Sequence, residues 1–304
     1  MKQKAKHSAT FWVFLAPVLV ALTLVVLVPF ALGIFYSFTD WSSSAKAGGI
    51  RYVGLLNYQK SLSDPRFLYS FGITTIYSLV CVFSMNILAF LLALLVSSKL
   101  RGRNVYRAGF FVPNLIGGLV LGYVWQFIFN AAVPALGAAL RFEALTRPEN
   151  LLLADHVGAL AAMIIVSTWQ YAGYIMMIYL AAIESVPPEL LEAAQIDGAE
   201  AFQRLRHITL PMVAQAFTVT LFLTLINSFK QFDINVSLTA GGPSTMFGGK
   251  AIKGTQLLAL NIYDTAFTGS DLAQGQARAF LFFVVLVMVS VFQVRLSKKR
   301  EIEL

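Results

Sequence analysis

The chain has 304 residues, and only 12% of them are charged, about half the usual share, while 58% are hydrophobic. The apolar residues run in long unbroken stretches, which excludes a water-soluble globular protein. The net charge of +8 has no soluble basic face to sit on, which excludes a nucleic-acid-binding protein.

A run of about 18 or more mostly apolar residues reads as a bilayer-spanning helix, because about 20 residues cross the hydrocarbon core. Six such runs predict an all-α polytopic membrane protein with six transmembrane helices. The first covers Phe11 to Phe38, with Pro17 and Pro29 as expected kinks, and follows Lys2, Lys4 and Lys6. That basic start and the small residues near Ala45 and Ala47 are signal-like. The apolar stretch far exceeds the roughly 7–15 residues of a signal core, so it reads as a retained anchor. The second span, Ser70 to Val96, holds Cys81, which alone makes no internal disulfide and reads as buried.

The loop "SSKLRGRNVYR" then carries Lys99, Arg101, Arg103 and Arg107 ahead of a third span, Gly109 to Phe129. The fourth is Gly158 to Ile183, the fifth Met212 to Asn227 and the sixth Ala279 to Val294, before a tail with Lys298, Lys299 and Arg300. Lysine and arginine in short loops mark the cytoplasmic side. Six spans put the N-terminus, the basic loop and the tail on one side, so both termini are expected to be cytoplasmic. Three regions follow: 1–68 as an N-terminal transmembrane helix with an external loop, 69–297 as a five-helix core, and 298–304 as a basic cytoplasmic tail.

Polar residues inside spans are expensive. Asn86, Gln126, Gln170 and Asn227 lie there, Tyr171 and Tyr174 sit three apart on the fourth span, and Lys230, Gln231 and Asp233 follow the fifth. They read either as helix–helix hydrogen bonding or as a polar, aromatic-lined cavity near the midplane. Aromatic faces with amides suit sugars.

No zinc spacing, nucleophile elbow or paired-carboxylate pattern stands out, and the histidines at 7, 156 and 207 are scattered, so no catalytic centre and no metal site are expected. "GGPSTMFGGKA" imitates a phosphate loop, but Ser244 stands where a glycine is needed and Ala251 follows Lys250. It reads as a flexible outer loop with a Gly-Gly-Pro turn.

Between the fourth and fifth spans lies "EAAQIDGAEAFQRLRHITLP", Glu192 to Pro211. Pro187 and Pro188 suit the first turn of a short helix, Glu189 complements its N-terminus, and Gly198 ends it. Ala193 and Ala194 leave room for another backbone, with Glu192 beside them as a charged handle. A second short helix is expected from Ala199 to His207. Its apolar face would be Ala201, Phe202, Leu205 and Ile208, with Glu200 and Arg204 paired opposite. Pro211 opens the fifth span. Two helices around a glycine read as a platform for a soluble partner.

The spacing Glu192-Ala193-Ala194, three residues, Gly198, nine residues, Ile208, one residue, Leu210-Pro211 resembles the complete EAA signature of ABC-importer permeases. The stretches "SFTDW", "YVGLLNY", "RGRNVYRAGFFVP", "SVPPELLEAAQIDGA", "SFKQFD", "LTAGGP" and "NIYDTAF" resemble the MalF-like sugar-permease branch across nearly the whole chain. The resemblance implies a type I ABC importer permease fold, with the EAA loop at 185–211. It implies partners: a second, MalG-like permease subunit, two cytoplasmic ABC ATPases and an extracytoplasmic solute-binding protein. ATP and Mg would be bound by the ATPases, and no cofactor by this chain.

The same resemblance makes Glu192, Ala193, Ala194, Asp197, Gly198, Ile208, Leu210 and Pro211 the expected ATPase-coupling residues. It makes Tyr171, Tyr174, Thr224, Asn227, Ser228 and Gln231 candidates for the substrate pathway. The expected function is carbohydrate import across a bacterial or archaeal cytoplasmic membrane. Glycerol 3-phosphate or another polyol-type solute is the alternative, and a secondary transporter working without an ATPase is a third reading. Two departures stand out: Ala240 where many relatives have glycine, and Arg278 where the residue is often small.

Overall fold

A computed structural model describes residues 2–42, 49–98, 101–142, 146–147 and 151–298. Ala45, Ala47 and the tail beyond Lys298 lie outside the described residues. In chain order the helices are α1 (Lys2–Leu22), α2 (Val28–Ser37), α3 (Leu56–Ser63), α4 (Pro65–Ser97), α5 (Arg103–Phe111), α6 (Gly118–Phe127), α7 (Val133–Ala139) and α8 (His156–Glu184). Then come α9 (Pro188–Ile196), α10 (Ala201–Arg204), α11 (Leu210–Met212), α12 (Ala214–Phe229), a hairpin of β1 (Ser244–Phe247) and β2 (Lys250–Lys253), α13 (Leu258–Tyr263) and α14 (Leu272–Lys298).

Five helical stretches among the described residues are long and apolar enough to cross a membrane: Phe11–Ser37, Pro65–Ser97, Gly118–Ala139, His156–Glu184 and Leu272–Ser297. A sixth candidate is a bent pair, Ala201–Met212 followed by Ala214–Phe229, which is long and apolar enough only when the two are taken together across a bend of 68°. Three wide π-helical turns share one cause. They cover Thr23–Leu27, Ile128–Ala132 and Leu205–Thr209, and each ends two residues before a proline, Pro29, Pro134 or Pro211. A helical proline has no N–H and its ring collides with the carbonyl four residues back. That carbonyl belongs to the middle residue of each turn, and the widened turn makes room for it.

The third span departs from expectation. It begins at Gly118, not Gly109, because α5 is a separate helix. Pro113 sits in a tight 3₁₀ turn (Val112–Leu115), and Ile116 and Gly117 are extended before α6 starts. Gly118 and Gly122 explain where α6 can lie. A β-carbon on Gly122 would fall 1.8 Å from Ser237 Oγ, and one on Gly118 would fall 2.8 Å from Asp233 Cβ. Glycines four apart let a helix backbone approach its neighbour this closely.

The chain forms two compact units, Met1–Asp64 with Ile262–Phe282, and Pro65–Asn261 with Phe283–Leu304. In the first, the two stretches "SFTDW" and "YVGLLNY" dock on each other. Asn57 Nδ2 donates to the carbonyls of Ser37 and Thr39 at 2.9 and 2.7 Å, and the hydroxyls of Ser37 and Tyr58 are 2.6 Å apart. The Arg51 N–H donates to Asp40 Oδ1 at 2.7 Å. Arg278, 3% exposed, is not left to strain the packing. It pairs with Asp64 Oδ2 at 2.5 Å and donates to Thr265 Oγ1 at 2.6 Å.

The second unit is organised by α4 against α8. Tyr77, Cys81, Met85, Met163 and Val166 form one buried cluster, with Ile234 and Leu238. Ala89 and Ala93, one turn apart on α4, form another with Ile175, Met176, Tyr179 and Leu180. Hydroxyls stitch the same seam: Tyr77 to Ser167 at 2.6 Å and Ser84 to Thr168 at 2.7 Å. The segment expected as a flexible loop is instead an ordered antiparallel hairpin, with Phe247 opposite Lys250. Gly248 and Gly249 have φ of +56° and +74°, the left-handed pair that a two-residue hairpin turn demands.

Candidate functional site

The platform after α8 is built as the sequence predicts for its first half. Pro187 is extended and Pro188 opens α9 with Glu189 in the first turn. At the other end the Gly198 N–H donates to the Gln195 carbonyl at 3.1 Å and the Ala199 N–H to the Ala194 carbonyl at 2.8 Å. With Gly198 at φ +80°, these two bonds make a Schellman cap. The glycine is required because a β-carbon is penalised in this conformation.

The second half differs. The α-helix over Ala201–Arg204 passes directly into the π turn that Pro211 induces. Glu200 is the N-cap of α10, in a capping box with Gln203 whose Oε1 accepts from the Glu200 N–H at 2.8 Å. It therefore serves the helix end rather than the expected pair with Arg204, because the orphan backbone N–H groups of a helix start compete for the carboxylate. Leu205 and Ile208 are half-buried, but Phe202 is 68% exposed. It points away from the face predicted for it.

α9 and α10 present large apolar side chains outward among polar ones. Ile196 is 87% exposed and Leu190 is exposed beside it. Glu192, Ala193 and Asp197 are exposed, while Ala194 is half-buried. Burying Ile196 against a partner would gain about 1.5–3 kcal/mol. Exposed apolar side chains among Glu189, Glu192 and Asp197 suit a contact surface.

The platform's root is held from the side. Arg107 on α5 forms an ion pair with Glu184, the last residue of α8. One turn along α5, Phe110 lies against α8 so closely that a β-carbon on Gly173 would fall 1.7 Å from its carbonyl oxygen. Neither partner of Arg107 nor that of Gly173 is adjacent in sequence, and nothing in the chain order marks them.

The candidates for a substrate pathway are dispersed. Thr224 is 1% exposed and belongs to a hydrogen-bonded network across three helices. Its Oγ1 accepts from Asn86 Nδ2 at 2.9 Å, Asn86 Oδ1 accepts from the Tyr179 hydroxyl at 2.7 Å, and that hydroxyl accepts from Thr220 at 2.7 Å. Asn86 thus follows the helix–helix alternative. Gln126 donates to the Leu238 carbonyl in a π-helical turn at 3.0 Å, whereas Gln170 donates to the carbonyl of the extended Ile116 at 2.9 Å. Tyr171 packs on the Tyr77 cluster, whereas Tyr174 packs on the Tyr179 cluster. Ser228 and Gln231 are buried, and Asn227 is half-buried. Tyr179 and Thr220 escape sequence reading, although Tyr179 lies two turns beyond Tyr171 on the same helix face.

The model of the family "Binding-protein-dependent transport system inner membrane component" matches residues 85–301. The chain is 42% identical over 307 residues to a probable starch degradation products transport system permease protein, AmyD, of Thermoanaerobacterium thermosulfurigenes, covering 100% of both. It is 31% identical to the multiple sugar-binding transport system permease protein MsmF of Streptococcus mutans, covering 96% of each. It is 30% identical to the sn-glycerol-3-phosphate transport system permease protein UgpA of Agrobacterium fabrum, covering 82% of each. Among solved structures, a chain of a bacterial ABC transporter that imports alginate superposes with a TM-score of 0.80 at 19% identity, over 98% of both chains.

Proposed function

Because the chain belongs to the family of binding-protein-dependent transport system inner membrane components, we propose that it is a permease subunit of an ATP-driven importer of carbohydrate. It forms half of the translocation pathway and is coupled to a cytoplasmic ATPase through the 185–211 platform. The observation that carries the coupling is the set of exposed residues on α9. Leu190 and Ile196 are exposed on the same short helix as the small Ala193 and the charged Glu192, and that helix ends in a glycine-capped turn.

The remaining assignments follow from that reading. Glu192 meets a basic group of the ATPase, Ala193 and Ala194 admit its backbone, and Gly198 fixes the angle between the two helices. Asp197 belongs to the exposed rim, while Ile208, Leu210 and Pro211 root the platform in the fifth span. ATP and Mg are held by two ATPase subunits, and the pathway is completed by a second permease subunit. An extracytoplasmic binding protein delivers the solute. The lysines and arginines of the N-terminus, of the loop at 98–107 and of the tail put both termini in the cytoplasm.

Carbohydrate is favoured by the end-to-end likeness to the starch-product and multiple-sugar permeases. The likeness to a glycerol-3-phosphate permease supports the second reading. Uptake of labelled oligosaccharide and of glycerol 3-phosphate into vesicles loaded with ATP separates the two. Uptake that persists without ATP, driven by an ion gradient, defeats both.

A further inference from the structure

One face of α8 is given over to the chain that leads into the third span. Gln170, Gly173, Met177 and Glu184 stand at i, i+3, i+7 and i+14, a single stripe of the helix about 21 Å long. Gln170 holds the Ile116 carbonyl at 2.9 Å. At Gly173 a β-carbon would fall 1.7 Å from the Phe110 carbonyl oxygen. Met177 shares a groove of about 340 Å³ with Asn104, Arg107, Ala108 and Phe111 of α5. Glu184 closes the stripe with its ion pair to Arg107. Partner numbers fall from 116 through 110 to 107 as the α8 numbers rise, so α5 runs antiparallel to α8.

These ties are not alike. The bonds at Gln170 and Gly173 are made by a buried amide and by close backbone packing. The charged tie is the outermost, on the last residue of α8, four residues before Pro188 opens α9. The Glu184 side chain is 44% exposed and that of Arg107 20%, so the pair adds little to the stability of the fold. Arg107 Nε is also buried without a hydrogen-bond partner, a cost that an apolar residue at 107 would not carry. What the pair does fix is where the last turn of α8, the root of the platform, lies against α5. Beyond α5 the chain continues through the Val112–Leu115 turn into α6, whose Gly118 and Gly122 lie against Asp233 and Ser237. A displacement of the platform root therefore has a contiguous route into the third span.

We propose that Arg107 is a positioning residue for coupling, an inference that rests on the ATPase-docking role given above to the platform. Its pair with Glu184 makes α5 and the platform end of α8 one rigid body. Movement imposed on α9 is then carried to α6 through α5, as well as to α12 along the chain. Without the pair the last turns of α8 yield before α5 follows, and ATP is hydrolysed with less solute moved.

The test uses the whole complex, with its ATPase and binding protein, in proteoliposomes. Spin labels on Val105→Cys and Ser185→Cys, both exposed positions, report the distance from α5 to the platform root with and without bound ATP. One narrow distance is expected in both states, and Arg107→Ala should broaden it when ATP binds. The second readout is uptake per ATP hydrolysed, for whichever of labelled oligosaccharide and glycerol 3-phosphate the parent takes up. Arg107→Ala should lower that ratio about tenfold with the ATPase still bound. Arg107→Lys, which keeps the charge and loses the unpartnered Nε, should hold both readouts near the parent, as should Arg107→Glu combined with Glu184→Arg. A parent distance that shifts on ATP binding overturns the proposal, as does Arg107→Ala with the parent's distance and ratio. Arg107→Lys behaving as Arg107→Ala overturns it too, since shape rather than charge would then matter. Parent uptake that needs no ATP removes the docking role itself, and this inference with it.

Discussion

The Tyr179 hydroxyl donates to Asn86 Oδ1 at 2.7 Å while accepting a hydrogen bond from Thr220, so one phenol joins α4, α8 and α12. Every polar atom of Asn86 is thereby satisfied inside the helix pack, since its amide also reaches Thr224 and the Val82 carbonyl. Tyr179→Phe strands Asn86 Oδ1 and is expected to cost about 1 kcal/mol, with Asn86→Leu costing more through lost shape. Unfolding in detergent should also show non-additivity: with Asn86 already replaced, Tyr179→Phe loses most of its effect. Strict additivity would mean the network is not coupled.

At the platform, Gly198→Val puts a β-branched residue at φ +80° and opens the Schellman cap. It should abolish uptake and separate the ATPase during purification. Ala193→Arg leaves the cap intact but blocks close approach, and Glu192→Lys reverses the charged handle. Both are expected to lower uptake at least about tenfold with the permease still folded. Full uptake in both would remove the coupling role.

Ala240 is held at φ +49°, where an L side chain is strained by about 1–2 kcal/mol. Ala240→Gly relieves that strain but adds freedom to the unfolded chain. A net gain of about 0.5–1 kcal/mol should appear as a raised melting temperature. The departure at this position is therefore tolerated at a cost.

The Arg278–Asp64 pair is largely screened from solvent, the arginine side chain being 4% exposed and the aspartate 26%. Removing one partner leaves the other charge poorly compensated, so Asp64→Ala should cost about 3 kcal/mol. Arg278→Leu with Asp64→Leu should recover much of it, because two apolar residues leave no orphan charge. A double variant as unstable as the singles would show that the arginine's packing, not its charge, matters.

Asp155 caps α8, its Oδ1 accepting from the N–H groups of Gly158 and Val157 at 2.8 and 2.6 Å. Those two backbone bonds lower its pKa. A lowered carboxylate pKa contributes stability that is complete above the unfolded value of about 3.9 and is lost as pH falls through the folded value below it. Asp155→Asn keeps a capping side chain without the titration. The melting temperature of the parent should therefore fall relative to the variant as pH drops below about 4. Parallel curves would rule the cap out as the titrating element.

Much of this protein was legible in its sequence, because bilayer spans and helix ends are local problems. Length and apolarity decide whether a helix crosses a membrane, and they mark spans near Phe11, Ser70, Gly158 and Ala279, whose observed starts lie within seven residues. Glycine freedom and proline rigidity decide how a helix starts and stops, so Pro188 and Gly198 bound α9 in the sequence itself. The EAA spacing likewise marked the platform.

Tertiary structure decided what depends on who lies opposite. The third span starts after the break at Pro113, but α6 packs where it does because Gly118 and Gly122 lie against Asp233 and Ser237, residues more than a hundred positions away. Asn86 was conspicuous alone, but only packing supplied Tyr179 and Thr220. Phe202 belonged to an apolar face by periodicity, yet the π turn forced by Pro211 changes the helix pitch just after it, and it faces outward. A chain order records which groups are polar or small. The partner each one meets is set by which helices press together, and that contact exists only once the fold is closed.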